Sequence, residues 1–374
     1  MIRIKGLYFK IRSLTNKTSK SYNSTKITLT NTDFYKTFNK SNILGGRSMK
    51  KFFKVSMAVA GIAAALSFTT TSFADEEFTP DKVLISVDDA HKLLGKPDVR
   101  FVDGDSEKRF LKEHVPGAVN AYAHDLHLLE DVQKCKGLPM CPERAAEFIG
   151  KELSIDNNTH VITYDDGKGV NASGVFFFLY LYGMDLDHLD LMDGGLATWK
   201  AKGYEIESGP AKKYPPKTFK VKVRWDIIAT KEEVLKALKD KEHYVILDSR
   251  HNLDEYLGKR LLSALEKPGV HEKVKRGGHI PGAIFSPWTK YAGNKSGKPN
   301  KHIFKSIKKL KKQIKKLKKK GLTPDKTVIT YCHVGLGRGS FQWLALKLAG
   351  LKKVKVYVGS WDEWGNDTSL PIEK

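Results

Sequence analysis

Between residues 78 and 372 the apolar positions cluster in short runs of four or five, separated by longer stretches in which they recur every three or four residues. Phe101-Val102, Val161-Ile162, Tyr244 to Asp248 and Val328 to Tyr331 are runs of the first kind, too short for helices and rich in β-branched residues. Lys231 to Leu238 has the helical period. Continuous rather than alternating apolar strands, interleaved with helices, predict α/β units in which a parallel sheet is flanked by helices on both faces. Ile303, Ile307, Leu310, Ile314 and Leu317 extend the pattern to a lysine-rich segment, read as an amphipathic helix ending at Gly321. Its apolar stripe belongs on the sheet and its lysines in water, and a membrane-surface role is set aside.

The pattern occurs twice. Val161-Ile162-Thr163-Tyr164-Asp165 matches Val328-Ile329-Thr330-Tyr331-Cys332, and His114-Val115-Pro116-Gly117-Ala118 matches His279-Ile280-Pro281-Gly282-Ala283. Arg100 to Asp103 parallels Val245 to Asp248, and Met192 to Trp199 parallels the end around Val358 to Trp364. The chain therefore divides into homologous halves, 78–208 and 222–372, joined by a linker at 209–221. Elements present in both halves, such as Asp248 and His279, are expected to be structural. Trp361 and Trp364 are expected to pack rather than bind a ligand.

One difference between the halves carries chemistry. Where the second half has Cys332, the first has Asp165. Cys332-His333-Val334-Gly335-Leu336-Gly337-Arg338 joins a strand end to the helix beginning near Arg338, and its glycines let successive backbone N–H groups converge near the sulfur. Such amides favour thiolate over thiol and can hold an anionic reactant. At these residues the chain resembles the rhodanese family of sulfurtransferases, whose active loop begins with a cysteine that carries a persulfide. The resemblance covers 80–372. It implies two tandem rhodanese-like domains, a catalytic one at 222–372 and a catalytically silent one at 78–208, with the active site in a cleft near their interface.

Composition changes the picture mainly at the amino end. The chain has 374 residues and a formal charge of +23. Met49-Lys50-Lys51, the apolar run Val55 to Phe68 and Ser72-Phe73-Ala74 read as an export signal over 49–74, cleaved after Ala74, which places the mature protein in the periplasm. Residues 1–48 would strand that signal inside a preprotein and are read as a mis-called upstream extension. Without residues 1–74 the charge falls to +11, and ten lysines lie in Lys305 to Lys320 alone, so the excess is local and no nucleic-acid partner is expected. Cys135 and Cys141 are spaced to close a small disulfide loop in an oxidising compartment, leaving Cys332 as the odd thiol. His124 and His127 lie nearby, but the cysteine spacing is not that of a zinc knuckle, and no metal site or organic cofactor is expected.

The expected activity is transfer of sulfane sulfur from thiosulfate or a similar small-molecule donor to a thiophilic acceptor, cyanide or a thiol, through a Cys332 persulfide. The amides of His333, Val334, Gly335, Leu336, Gly337 and Arg338 are expected around it, with Arg338, His333 and Arg250 on the donor's anionic end. In the thiosulfate-using members of the family an arginine precedes the aromatic-Leu-Gly run; here Glu255 precedes Tyr256-Leu257-Gly258, a departure that counts against thiosulfate as donor. Cys332-x5-Arg338 also fits the phosphate loop of cysteine-dependent phosphatases and related arsenate reductases, although Tyr331 and Gly339 flank it where those loops carry His and Ser or Thr. A non-catalytic sulfur carrier is the remaining alternative.

Overall fold

The computed structural model describes residues 76–261 and 274–374 of a compact unit, Ser72–Lys374. A separate unit, Met1–Thr71, is described only where Arg3–Ile4 pairs antiparallel with Leu7–Tyr8. The rest of the expected upstream extension and all of the expected signal, 49–74, lie outside the described residues.

Ten strands form two parallel sheets. In the first half β1 is Leu84–Ser86, β2 Val99–Asp103, β3 Val119–Asn120, β4 His160–Tyr164 and β5 Leu189–Asp193, in the order β1-β5-β4-β2-β3. In the second half β6 is Ile228–Ala229, β7 Tyr244–Asp248, β8 Ile284–Phe285, β9 Thr327–Tyr331 and β10 Val354–Tyr357. Their order, β6-β10-β9-β7-β8, repeats that of the first half strand for strand. The central strands β4 and β9 bury their last four residues, as a parallel sheet covered on both faces requires.

Three longer helices position the site: α1 is Val170–Leu181, α2 Ile307–Lys318 and α3 Arg338–Leu348. The helices α1 and α3 follow β4 and β9 and are buried on nearly every side, so neither needs a polar stripe. They meet each other: the Trp343 ring stands edge-on to Phe177 at 5.0 Å and lies 5.9 Å from Tyr180. Val161 and Val175 from one half and Val328 and Leu344 from the other belong to one continuous core. Each large side chain so buried contributes ~2–3 kcal/mol of transfer free energy, and an apolar interface of this kind holds two domains as one body. The alternate strand residues, Phe101 and Ile162 or Ile246 and Ile329, face separate outer cores under short helices.

The helix α2 turns Leu310, Ile314 and Leu317 inward and ends before Gly321, whose φ is +95°. Ile303, read from the sequence as part of this helix, is instead in the preceding loop, buried at the Gly169 turn. The repeated motifs are scaffold: His114 Nδ1 meets Phe110 O at 2.7 Å, and His279 Nδ1 meets Tyr256 O at 2.8 Å. Trp361 and Trp364 donate to Arg276 O and Pro371 O at 3.0 and 2.8 Å. Among the described residues no helix is long and apolar enough to cross a membrane.

Candidate active site

Strand β9 ends at Tyr331, whose hydroxyl donates to Asp248 Oδ2 at 2.7 Å, and this pins the chain just before Cys332. Cys332 is a free thiol, 1% exposed. Its amide donates to Ser360 Oγ at 3.2 Å, and its carbonyl accepts from Trp361 N at 3.2 Å. The loop then needs glycine twice. Gly335 has φ +73°, and a Cβ there would lie 2.6 Å from Val358 Cα. Gly337 has φ +119° and caps α3, its amide donating to Ser340 Oγ at 2.8 Å. Among the described residues no acceptor is paired with the amides of His333, Val334, Gly335, Arg338 or Gly339. Those are the N–H groups a loop and helix start can offer an anion.

The first half shows what such a loop does with a charge in place. Asp165 takes the position of Cys332, and its carboxylate accepts from Gly167 N and Gly169 N at 2.9 and 2.8 Å and from Asn171 N and Ala172 N at 3.0 and 3.3 Å. Two of those amides come from the first turn of α1. The cradle is thus filled by the chain's own anion. Burial, with Asp105 and Asp166 close by, nonetheless pushes the Asp165 carboxyl up to about 7.

Of the cationic residues expected at the donor, Arg338 lines a cavity of about 550 Å³ between the halves. Its Nη1 donates to His333 Nδ1 at 3.1 Å, while His333 Nε2 lies 2.9 Å from Glu255 Oε2. Burial, then Arg338 and Arg250, hold the His333 imidazole well below its ordinary pKa. The ring is therefore neutral, with its proton on Nε2 given to Glu255 and Nδ1 accepting from Arg338. At 2% exposure it does not reach the cavity; His333 holds Arg338 rather than a donor. Val334 and Leu336 bury their side chains in the core, so their part in the loop is confined to the main chain.

Arg250 is placed elsewhere than the sequence suggested. Its guanidinium is bound by Asp248, Nε at 3.0 Å and Nη2 at 2.6 Å, and by Gly278 O at 2.6 Å, and it stacks 4.8 Å from the Trp361 ring. At 1% exposure it braces the turn after β7 and is not part of the cavity wall. The next residue, His251, takes that place. Cys135 and Cys141 lie away from the cavity, with their sulfurs 1.90 Å apart.

The opposite wall comes from the first half: Asp105, Arg109, Asp166 and Lys168. Its acids are engaged, Asp166 by Arg109 Nη1 at 2.8 Å and by Lys168, and Asp105 by Asn171 Nδ2 at 2.7 Å. Gly174 of α1 supports the Cys332 loop so closely that a Cβ there would lie 3.0 Å from Gly337 N. Two contributors escaped the sequence reading. Glu255 registered only as a missing arginine. Ser360, a non-glycine at φ +50°, stands where the first half has Gly195 at φ +58°, and that mismatch in the repeat was its only sequence signal.

The comparisons with known proteins agree with this arrangement. The model of the rhodanese-like domain matches residues 86–202 and again 230–367. A Mycobacterium bovis protein named "Putative thiosulfate sulfurtransferase 1" is 32% identical over 294 residues, 78% of this chain and 97% of that protein. The Thermus thermophilus "Sulfur carrier protein TtuD" is 32% identical over 299 residues with the same coverage. Among solved structures, the 3-mercaptopyruvate sulfotransferase SseA of Escherichia coli superposes with a TM-score of 0.58 at 22% identity, covering 76% of this chain and 99% of its own. The Tum1 protein of Saccharomyces cerevisiae gives 0.60 at 18%, covering 78% and 98%. The family model over both halves and relatives at 32% identity along nearly their whole length, on two parallel sheets in identical order, show that the chain belongs to the rhodanese family with two copies of the rhodanese-like domain.

Proposed function

We propose that this protein is a sulfurtransferase that passes sulfane sulfur from thiosulfate or a related anionic donor to a thiophilic acceptor through Cys332. The observation that supports this most is the contrast between the two loops: amides consumed by Asp165 in one half are unclaimed beside Cys332 in the other. The Cys332 thiolate attacks the outer sulfur of thiosulfate, the sulfur–sulfur bond breaks, and sulfite leaves with its electron pair. Cyanide or a thiolate then attacks the terminal sulfur of the persulfide, and Cys332 departs as thiolate. The enclosure of Cys332 shields the persulfide from water. Arg338 gives one N–H to His333 and keeps the rest of its donor fork for the donor's oxygens. Arg250 has no part in this reading.

The test is mass measurement of the protein before and after thiosulfate, with sulfite release assayed in the presence of cyanide. One added sulfur atom, removed by cyanide and absent in Cys332→Ser, is expected; phosphate release from an aryl phosphate without any persulfide would overturn the reading. A carrier role is the second reading, favoured by the Thermus relative's name, and it predicts the persulfide without turnover on cyanide.

The protein is also proposed to be exported. The signal read over 49–74 supports this, as does the spacing of Cys135 and Cys141, since a pair of that kind closes and persists in an oxidising compartment. Amino-terminal sequencing of protein from cells should begin at Asp75, and mature protein retaining residues 1–48 would refute it.

A further inference from the structure

A second cavity, of about 500 Å³, opens on the catalytic half between α2 and the segment that follows β8. Five lysines from separate segments converge on it: Lys290 and Lys295 after β8, Lys305 before α2, and Lys316 and Lys320 at the carboxyl end of α2. No carboxylate lines it. Among the described residues the side chains of Lys295, Lys316 and Lys320 have no hydrogen-bond or ion-pair partner, while Lys290 and Lys305 reach the main-chain carbonyls of Phe285 and Lys290 at 3.3 and 2.6 Å, Lys290 also lying 5.7 Å from the Phe285 ring. Burial first, and then the neighbouring ammonium groups, push Lys290 and Lys305 below the usual lysine range. Lysines on exposed helices ordinarily alternate with acids or splay into water. Here α2 contains no acid, and its Lys316 faces three lysines from other segments.

The basin borders the cavity that Arg338 lines, since Thr289 and Lys295 line both. An ammonium is a compact charge on a flexible stem and adapts to oxygen ligands of varied geometry, so the basin suits charge more than shape. We propose that this basin is a second binding site, for a small multivalent oxyanion, and that it stages the anionic sulfur donor beside the cavity that Arg338 lines. The binding function stands on the basin alone; the staging function rests on the sulfurtransferase reading above.

Two probes separate these claims. Inorganic pyrophosphate, inert to Cys332, is titrated by calorimetry at low salt into the mature chain, into Lys316→Glu/Lys320→Glu, and into Lys311→Glu/Lys318→Glu. The last pair removes the same charge from the opposite face of α2. The basin variant is expected to bind roughly tenfold or more weakly, and the outer-face variant to stay within about twofold of wild type, as a local site requires and a general field does not. Thiosulfate kinetics should then show a raised KM with little change in kcat for the basin variant alone, with the difference fading at high salt. Lys316→Gln/Lys320→Gln should give a smaller loss in the same direction. Equal pyrophosphate affinity in all variants, or equal losses on the two faces, would overturn the site. Pyrophosphate binding lost in the basin variant with thiosulfate kinetics unchanged would leave the site but overturn the staging.

Discussion

Replacing Asp165 by Asn tests which force governs a charge in the duplicated cradle. Four backbone N–H groups at 2.8 to 3.3 Å favour the carboxylate, while complete burial and the nearby Asp105 and Asp166 oppose it. The opposing set prevails, because the carboxyl is raised to about 7 in the folded protein from about 4 in an unfolded chain. Between those values the folded state binds more protons than the unfolded one. Stability is therefore fully retained below about pH 4, is lost as pH rises toward about 7, and stays lost above, with a total of about 4 kcal/mol as an upper bound. Asn matches the protonated acid in charge, but its amide nitrogen only donates and leaves two of the four backbone N–H groups without an acceptor, a cost that does not vary with pH. Asp165→Asn should hence start below wild type near pH 4 and gain on it by up to about 4 kcal/mol between there and pH 8. Asp103, Asp105 and Glu363 are also raised, chiefly by burial; the Asp165 charge contributes to the Asp103 shift and repels Asp105, so the difference between the two proteins reports Asp165 together with its effect on these neighbours. Urea unfolding across that range measures it. A variant that loses ground to wild type as pH rises would show that the amides win and that this reasoning is wrong.

Glu255→Ala leaves the buried Nε2–H of His333 without its acceptor and should cost about 1–3 kcal/mol in urea unfolding, whereas Glu255→Gln still accepts that hydrogen bond and should cost less than about 1 kcal/mol. Both should raise the thiosulfate KM more than they lower kcat, because Glu255 acts through His333 on Arg338; unchanged KM would sever that chain. Cys135→Ser, opening a loop whose cysteines are six residues apart, should lower stability by about 2 kcal/mol without reductant. With reductant the two proteins should converge, and persulfide formation on Cys332 should be unaffected in either.

Sequence sufficed where a signal was local or doubled. The strand-cysteine-glycine-helix run around Cys332 is contiguous, and the repeated His-x-Pro-Gly-Ala motif marked His279 as scaffold before any contact was known. It failed where partners are distant. Arg250, two residues past a strand end, reads as a cleft residue until Gly278 O and the Trp361 ring close over it. His333 reads as a donor ligand until Glu255, 78 residues away, takes its Nε2 proton. The lysines of α2 read as one solvated face because Lys290 and Lys295 belong to no helical period and Lys305, read as part of that helix, stands in the loop before it.

The two halves are more than copies, because their loops meet. Gly174 of α1 lies against the Gly337 amide, and Gly169 packs on Ile303. The end of α1 that serves Asp165 thus also forms a wall of the Cys332 loop. A second open cradle at that junction would set two exchangeable anions side by side and divide the donor between them. Filling it with a built-in carboxylate removes the competing site. It also adds negative charge near the donor's path, which Arg109 and Lys168 offset at Asp166 and which the raised Asp165 carboxyl partly suppresses by protonation. The first half therefore contributes an internally neutralised wall, and the positive charge that faces it comes from Arg338 and Lys295 on the opposite side.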